Sequence, residues 1–213
     1  MPSTSDQRPA SVLSLAPVVP VVVLDDVAHA VPVARALVAG GLPVIELTLR
    51  TPVALEALAA IAAEVPEITV GAGTVLTPVQ VDQAVGAGAQ FLVSPGATPS
   101  LLGAMGASGV PFLPGTATVS EVMAVLEAGV TEMKFFPAEA SGGAAYLRSI
   151  ASPVPAARFC PTGGITAATA ASYLALPNVG CVGGSWLTPS DALAAQDWDR
   201  VTTLAREGAA LGT

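Results

Sequence analysis

The stretch FLPGTATVSEVMAVLEAGVTEMKFFP, residues 112–137, contains a strand, a helix and a second strand in close succession. Short apolar runs begin at Phe112 and near Met133, and the segment between them has the length of one helix. Thr118 is suited to cap the amino end of this helix, and Gly129 to end it. Two strands joined by one helix are typical of the βαβ unit, in which the strands run parallel.

The same pattern recurs along the chain. Successive apolar runs begin 21 to 26 residues apart, which leaves room for one helix and two short loops in each interval. The runs begin near Val18, Val44, Thr69, Phe91, Phe112, Met133, Phe159 and Cys181. Eight units predict an α/β fold, a closed (β/α)8 or TIM barrel, for which roughly 200 residues is the lower limit. An open doubly wound sheet is the alternative, but its usual strand count of about six would leave units unused.

We expect residues 1–213 to form this one barrel domain, with residues 1–10 flexible. Leu13 and Leu15 suggest a short extra N-terminal helix that could close the bottom of the barrel. Among the eight units, helix boundaries are marked by Thr-Pro pairs, in which the threonine caps the helix and the proline opens its first turn. Such pairs occur at Thr51, Thr77 and Thr98, and further helices are predicted over residues 26–39 and from Asp191 past Arg206.

The composition argues against several classes of protein. Acidic residues outnumber basic ones by 16 to 8, and nucleic-acid binding rests on lysine and arginine, so we expect no nucleic-acid partner. The longest early apolar run, residues 17–24, is far shorter than the roughly 20 residues that cross a membrane. Two cysteines and one histidine are too few and too scattered for a zinc site. The low cysteine count and the lack of a signal-peptide pattern predict a cytoplasmic protein.

Charged side chains occur inside two predicted strands, where a core is expected. In VIELTLR, residues 44–50, alternation places Glu46, Thr48 and Arg50 on the face opposite the helices, inside the barrel. A buried carboxylate and guanidinium are costly unless they are paired or used. An internal ion pair between Glu46 and Arg50 would explain them as purely structural residues.

Lys134, the only lysine in the chain, lies in the sixth predicted strand between Met133 and Phe135. An apolar site lowers the pKa of a lysine and so supplies a neutral amine, which can attack a ketone to form a Schiff base. The structural alternative is a buried salt bridge from Lys134 to Glu132 or Glu46. Both explanations are compatible with the sequence pattern.

Glycine-rich turns follow the seventh and eighth predicted strands, at PTGG (161–164) and VGGS (182–185). In many barrels the loops at these two positions bind phosphate through backbone N–H groups. Tight turns without a ligand are the alternative, as they are for the glycines around Thr74 and Pro95. A lysine, an acid, an arginine and a phosphate site together would suit a phosphorylated substrate with a ketone and a carboxylate.

Several motifs resemble, in order and spacing, those of the 2-keto-3-deoxy-6-phosphogluconate (KDPG) and 4-hydroxy-2-oxoglutarate (KHG) aldolases. The matching blocks are residues 17–41, IELTLRT (45–51), residues 64–76, SPG (94–96), PGTATVSE (114–121), KFFPAEASGG (134–143), RFCPTGGI (158–165) and GGSWL (183–187). The Ala-rich helices differ from those of the family, and one motif departs from its pattern, residues 115–118, where many relatives carry Ile-Ser before the second threonine. Both versions keep a hydroxyl, so we expect little change in chemistry.

The resemblance implies a (β/α)8 barrel, a homotrimer, and a class I aldolase of the Entner–Doudoroff pathway that needs no metal or cofactor. Its substrate would be a small phosphorylated keto acid. The site residues carried over by motif are Lys134 (Schiff base), Glu46 (general acid/base), Arg50 and Thr74 (carboxylate), Gly163, Gly164, Gly184 and Ser185 (phosphate), and Pro95, Phe136 and Thr162 (pocket lining). The alternatives are a phosphosugar isomerase or epimerase and a non-catalytic barrel that binds a phosphorylated ligand.

Overall fold

The computed structural model describes residues 11–212 as strands that alternate with helices. The strands are β1 (Val18–Val22), β2 (Val44–Thr48), β3 (Thr69–Gly73), β4 (Phe91–Val93), β5 (Phe112–Leu113), β6 (Gly115–Thr116), β7 (Glu132–Phe135), β8 (Arg158–Pro161) and β9 (Val182–Gly184). The helices are α1 (Ala30–Ala39), α2 (Ala54–Glu64), α3 (Pro78–Gly86), α4 (Pro99–Ala107), α5 (Val119–Glu127), α6 (Gly143–Ile150), α7 (Ala167–Leu174), α8 (Ser190–Ala194) and α9 (Trp198–Ala209). Residues 1–10, predicted to be flexible, lie outside the described part.

The strands form two parallel sheets. The larger has the order β5-β4-β3-β2-β1-β9 and the smaller the order β6-β7-β8. Pro114, which has no N–H to donate, separates β5 from β6. Isolated parallel bridges from Phe159 to Val179 and from Thr162 to Gly183 link the two sheets at their other edge. The fold is therefore α/β with a curled parallel sheet, which confirms the α/β class and the parallel strands predicted from the regular spacing of the apolar runs.

The two faces of the sheet bury different sets of side chains. Ile45 and Leu47 on β2 pack into the large core with the helices, as the alternation in this strand predicts. The opposite face contributes to a smaller apolar cluster that consists of Val12, Leu13, Val19, Val44, Phe91, Val93, Leu113, Cys160 and Cys181. The predicted N-terminal helix is a single 3-10 turn, Val12–Ser14, and its first two side chains lie in this smaller cluster.

Most predicted helix starts are confirmed, and two helix predictions are wrong. Thr77, Thr98 and Thr118 cap their helices through the side chain. In contrast, α2 begins two residues after the expected Thr51-Pro52 start, and the Thr51 hydroxyl instead donates to the backbone oxygen of Leu24. The last predicted helix is broken into α8 and α9 at Gln196, whose φ of 53° is incompatible with a right-handed helix.

The helix over residues 26–39 begins as the 3-10 turn Val27–His29, with Asp26 as its cap, and continues as α1. His29 is half-buried, and its ring contacts Trp198 edge-on. Among residues 11–212, no helix combines the length and the hydropathy that a membrane span requires.

Candidate active site

Lys134 and Glu46 meet on the inner face of the curled sheet, although they lie on the well-separated strands β7 and β2. Lys134 Nζ donates to Glu46 Oε1 at 3.1 Å. The two residues are 3% and 1% exposed. The structural alternative for Lys134, a buried salt bridge to Glu46, is thus present, whereas Glu132 accepts a hydrogen bond from Ser11 instead. An amine and a carboxylate in direct contact are also what proton transfer to and from a lysine nucleophile requires.

Gly73, at the end of β3, makes room for the Glu46 carboxylate. A Cβ atom at Gly73 would collide with Glu46 Oε1 and would lie 2.6 Å from its Cγ. The backbone register explains this contact, because Gly73 pairs with Thr48, two residues beyond Glu46 on the neighbouring strand. The glycines near Thr74 are therefore more than a tight turn, since one of them determines where the carboxylate lies.

Arg50 and Thr74 form a second polar pair at the carboxyl ends of β2 and β3. Arg50 Nε donates to Thr74 Oγ1 at 3.0 Å. The Glu46–Arg50 ion pair considered from the sequence is replaced by this contact and by the Lys134–Glu46 pair. Thr74 has a φ of 59°, a conformation that β-branched residues rarely adopt. Backbone strain of this kind persists where surrounding contacts impose it, and it is common at functional sites.

A small open cavity of about 180 Å³ lies beside these pairs. It is lined by Val21, Arg50, Phe136, Thr162, Gly163, Gly164, Ile165, Gly183 and Ser185. The Phe136 ring connects the cavity to the lysine, because Lys134 Nζ lies 5.3 Å from the centre of that ring. Six of these nine residues are site residues predicted from the sequence, and two more, Ile165 and Gly183, adjoin such residues, so the cavity brings most predicted ligand contacts together.

The predicted phosphate residues occupy different positions around this cavity. Gly163 and Gly164 have φ of 103° and 79°, which only glycine adopts without strain, and both line it together with Ser185. Gly184 packs on the ring of Trp186, where a Cβ atom would collide, and its neighbour Gly183 lines the cavity instead. The two glycine turns therefore converge, as their positions after the last strands predict.

Pro95 follows β4 and lies against the backbone of Gly115, which leaves no room there for a Cβ atom. Gly115 is also the partner of Lys134 in the β6–β7 register. Pro95 is consequently separated from the lysine strand by one intervening strand, on the side of the site opposite β8.

A larger cavity, of about 470 Å³, lies outside the sheet between α4 and α5. Its lining is mostly apolar and includes Leu102, Phe112 and Val125, together with the charged residue Glu121. Because Lys134 is the only lysine in the chain and lies elsewhere, imine chemistry cannot be assigned to this larger cavity.

Two side chains near the glycine loop, the turn at Gly163 and Gly164, are not predicted as site residues from the sequence. Tyr173 on α7 donates to Glu139 Oε1 at 2.6 Å, and Glu139 contacts Gly164. Burial and the neighbouring Glu139 carboxylate raise the pKa of Tyr173 above its usual value, so the hydroxyl keeps its proton and acts as a donor. Glu139 lies in the KFFPAEASGG block and could have been considered on that ground, but nothing in the sequence links it to Tyr173.

The fold and the site together define a class of protein, an α/β enzyme in which a buried lysine–carboxylate pair lies near a small cavity and contacts its lining residue Phe136. That arrangement is suited to imine formation with a carbonyl substrate. Comparison with known proteins agrees with this assignment of the class. The family model for KDPG and KHG aldolases matches residues 10–204, and the chain belongs to this family of carbon–carbon lyases.

Individual relatives are similar over nearly their whole length. The KHG/KDPG aldolase of Escherichia coli is 56% identical over 92% of each chain. The crystal structure of the Legionella pneumophila KDPG aldolase, with pyruvate captured as a covalent carbinolamine intermediate, has a TM-score of 0.91 and 46% identity, covering 92% of this chain and 96% of that one. The Zymomonas mobilis aldolase with 3-phosphoglycerate has a TM-score of 0.89 and 50% identity, covering 93% of both.

Proposed function

We propose that the protein is a class I aldolase that cleaves KDPG to pyruvate and glyceraldehyde 3-phosphate. A second substrate is 4-hydroxy-2-oxoglutarate, which the same chemistry cleaves to pyruvate and glyoxylate. The observation that carries the proposal is the contact of 3.1 Å between Lys134 Nζ and Glu46 Oε1, both nearly fully buried. The names of the relatives that match over most of the chain support it.

In the first step Lys134 forms the imine. Glu46 accepts a proton from the Lys134 ammonium, and the resulting amine attacks C2 of the substrate. Glu46 then returns the proton to the hydroxyl of the carbinolamine, which leaves as water, so a protonated imine and a Glu46 carboxylate remain. The carbinolamine seen in the Legionella pneumophila relative supports this step.

In the second step the protonated imine acts as an electron sink. Glu46 removes the proton of the C4 hydroxyl, the C3–C4 bond breaks, and its electron pair forms the C2–C3 double bond of an enamine. The aldehyde product leaves. Glu46 then gives its proton to C3, and a water molecule hydrolyses the imine to release pyruvate and the Lys134 ammonium.

The remaining site residues bind the two anionic ends of the substrate. Arg50 and Thr74 hold the carboxylate of the pyruvate moiety, which suits the guanidinium and the hydroxyl that already contact each other. Gly163, Gly164, Gly184 and Ser185 bind the phosphate, chiefly through backbone N–H groups. Pro95, Phe136 and Thr162 line the pocket. The relative with 3-phosphoglycerate supports a site for a phosphorylated three-carbon unit.

The proposal includes the architecture and the assembly. The curled sheet is a full but distorted (β/α)8 barrel in one domain, in which β5 and β6 are one strand interrupted at Pro114 and two isolated bridges join β8 to the larger sheet. The assembly is a homotrimer, as the family resemblance implies. The protein acts in the cytoplasm, and its two free, buried cysteines suit a reducing compartment.

Pyruvate release from KDPG and from 4-hydroxy-2-oxoglutarate, coupled to lactate dehydrogenase, tests this function. We expect turnover by the wild-type protein, none by Lys134→Arg, and a kcat for Glu46→Gln lowered by about 10² to 10⁴. Glu132→Gln is the matched control, because Glu132 lies on the same strand as Lys134 but bonds Ser11 at the other end of it. Near-normal turnover by Lys134→Arg would overturn the imine mechanism.

A further inference from the structure

The segment that follows the lysine strand lies along the glycine loop that the proposed function assigns to phosphate. Ala138 N donates to the backbone oxygen of Thr162 at 2.8 Å, and Glu139 N donates to that of Gly163 at 3.1 Å. The Phe136 ring lies 3.3 Å from the position that a Cβ atom at Gly163 would take. Residues 136–139 thus contact the loop through both backbone and side chains.

The Glu139 side chain occupies the space beside Gly164. A Cβ atom at Gly164 would lie 2.7 Å from Glu139 Cγ and 2.8 Å from its Cβ, so the aliphatic part of Glu139 packs directly on the loop backbone. The carboxylate end is held elsewhere, because Oε1 accepts the 2.6 Å hydrogen bond from the Tyr173 hydroxyl. Tyr173 is itself only 1% exposed and belongs to the large core.

This arrangement connects the rigid core to the loop. Tyr173 is fixed by packing, it fixes the Glu139 carboxylate, and the Glu139 stem fixes the backbone of Gly164. A glycine pair has more conformational freedom than other residues, so its N–H groups present one geometry to an anion only if neighbouring groups restrict it. A carboxylate would repel a phosphate, which excludes Glu139 as a direct ligand of the phosphate and leaves it a supporting role.

We propose that Glu139, held by Tyr173, is a positioning residue that fixes the Gly163–Gly164 loop for the phosphate end of the substrate. This inference rests on the proposed aldolase function and deepens it by assigning a source of preference for phosphorylated substrates. The Lys134–Glu46 pair does not depend on this contact, since both residues are held by β7 and β2. Loss of the contact therefore weakens use of the phosphorylated substrate and leaves imine formation intact.

Two reactions separate an effect on phosphate binding from an effect on imine formation. Cleavage of KDPG depends on both, because KDPG carries a phosphate, whereas borohydride trapping of pyruvate depends on imine formation alone. For Tyr173→Phe and Glu139→Ala we expect kcat/KM for KDPG to fall about tenfold, mainly through KM, as for one lost charge-assisted hydrogen bond. Pyruvate trapping should proceed at the wild-type rate. Glu139→Gln keeps an oxygen that accepts from Tyr173, so it should retain more KDPG activity than Glu139→Ala.

The matched control is Tyr146→Phe, which removes the only other tyrosine hydroxyl of the chain from a ring that stacks on Phe135. Both activities of this control should equal those of the wild type. Equal losses in KDPG cleavage and pyruvate trapping, or unchanged KDPG kinetics in Tyr173→Phe and Glu139→Ala, would overturn the inference. Failure of the wild-type protein to trap pyruvate would instead overturn the proposed function on which it rests.

Discussion

Replacing Gly73 with alanine should move the Glu46 carboxylate away from Lys134. The added Cβ atom would lie 2.6 Å from Cγ and 2.7 Å from Cδ of Glu46. Ordinary contact between carbon atoms needs about 3.5 Å, so the carboxylate must move by roughly 0.8 Å. A movement of that size is enough to break a hydrogen bond of 3.1 Å, and a misplacement of about 1 Å at a catalytic group costs on the order of 10²-fold in rate.

The assay is kcat/KM for KDPG cleavage, measured with pyruvate release, together with thermal unfolding. We expect Gly73→Ala to lose about two orders of magnitude in kcat/KM and about 1 to 3 kcal/mol in stability, the usual cost of overpacking. Gly103→Ala is the matched control, because a Cβ atom there meets nothing within 4 Å. That variant should keep its activity and gain up to about 1 kcal/mol of helix stability. Gly73→Ala with wild-type kcat/KM would refute the role assigned to the Glu46 position.

Three further predictions concern the same side chains and one helix start. Lys134→Met leaves the Glu46 carboxylate buried without its partner, so urea unfolding should show a loss of about 3 to 5 kcal/mol, and the double variant with Glu46→Gln should regain part of it. Arg50→Lys loses the planar fork that pairs with a carboxylate, so KM for KDPG should rise by about 10-fold or more with kcat much less affected. Backbone hydrogen bonds, chiefly from Ala117, lower the pKa of Glu121 from its usual value of 4.5. The contribution of these hydrogen bonds to folding stability is therefore complete above pH 4.5 and is lost as the pH falls through the lowered pKa. Glu121→Gln should therefore reduce stability at pH 7, with a difference from the wild type that shrinks in acid denaturation series below pH 4.5.

The order of the elements could be predicted because each strand is a short apolar run between glycine and threonine signals. The same alternation placed Glu46 on the inner face, and the rarity of a lysine between apolar neighbours singled out Lys134. Their meeting could be expected only from the barrel prediction, since 88 residues separate them in sequence and their strands belong to different sheets. For these features a local signal and the global topology point to the same answer.

The features that could not be predicted depend on contacts between distant segments. Thr51 precedes a proline, as a helix-capping threonine does, but its hydroxyl donates to the backbone oxygen of Leu24 in the preceding loop. Gln196, where the last predicted helix breaks, and Thr74 both adopt a left-handed backbone conformation. Neither is a glycine, so the sequence gives no signal for this conformation. The link from Tyr173 to Glu139 joins two residues 34 positions apart, and neither residue type signals it.

Borohydride reduction in the presence of pyruvate, followed by intact and peptide mass spectrometry, tests the imine mechanism most directly. Lys134 is the only lysine, so an adduct on a lysine side chain can be assigned without ambiguity. We predict one reduced pyruvate adduct per chain, located on the peptide that contains Lys134 and missing from Lys134→Arg. A folded protein without an adduct, or an adduct that persists in Lys134→Arg, would contradict the assignment of Lys134 as the Schiff-base residue.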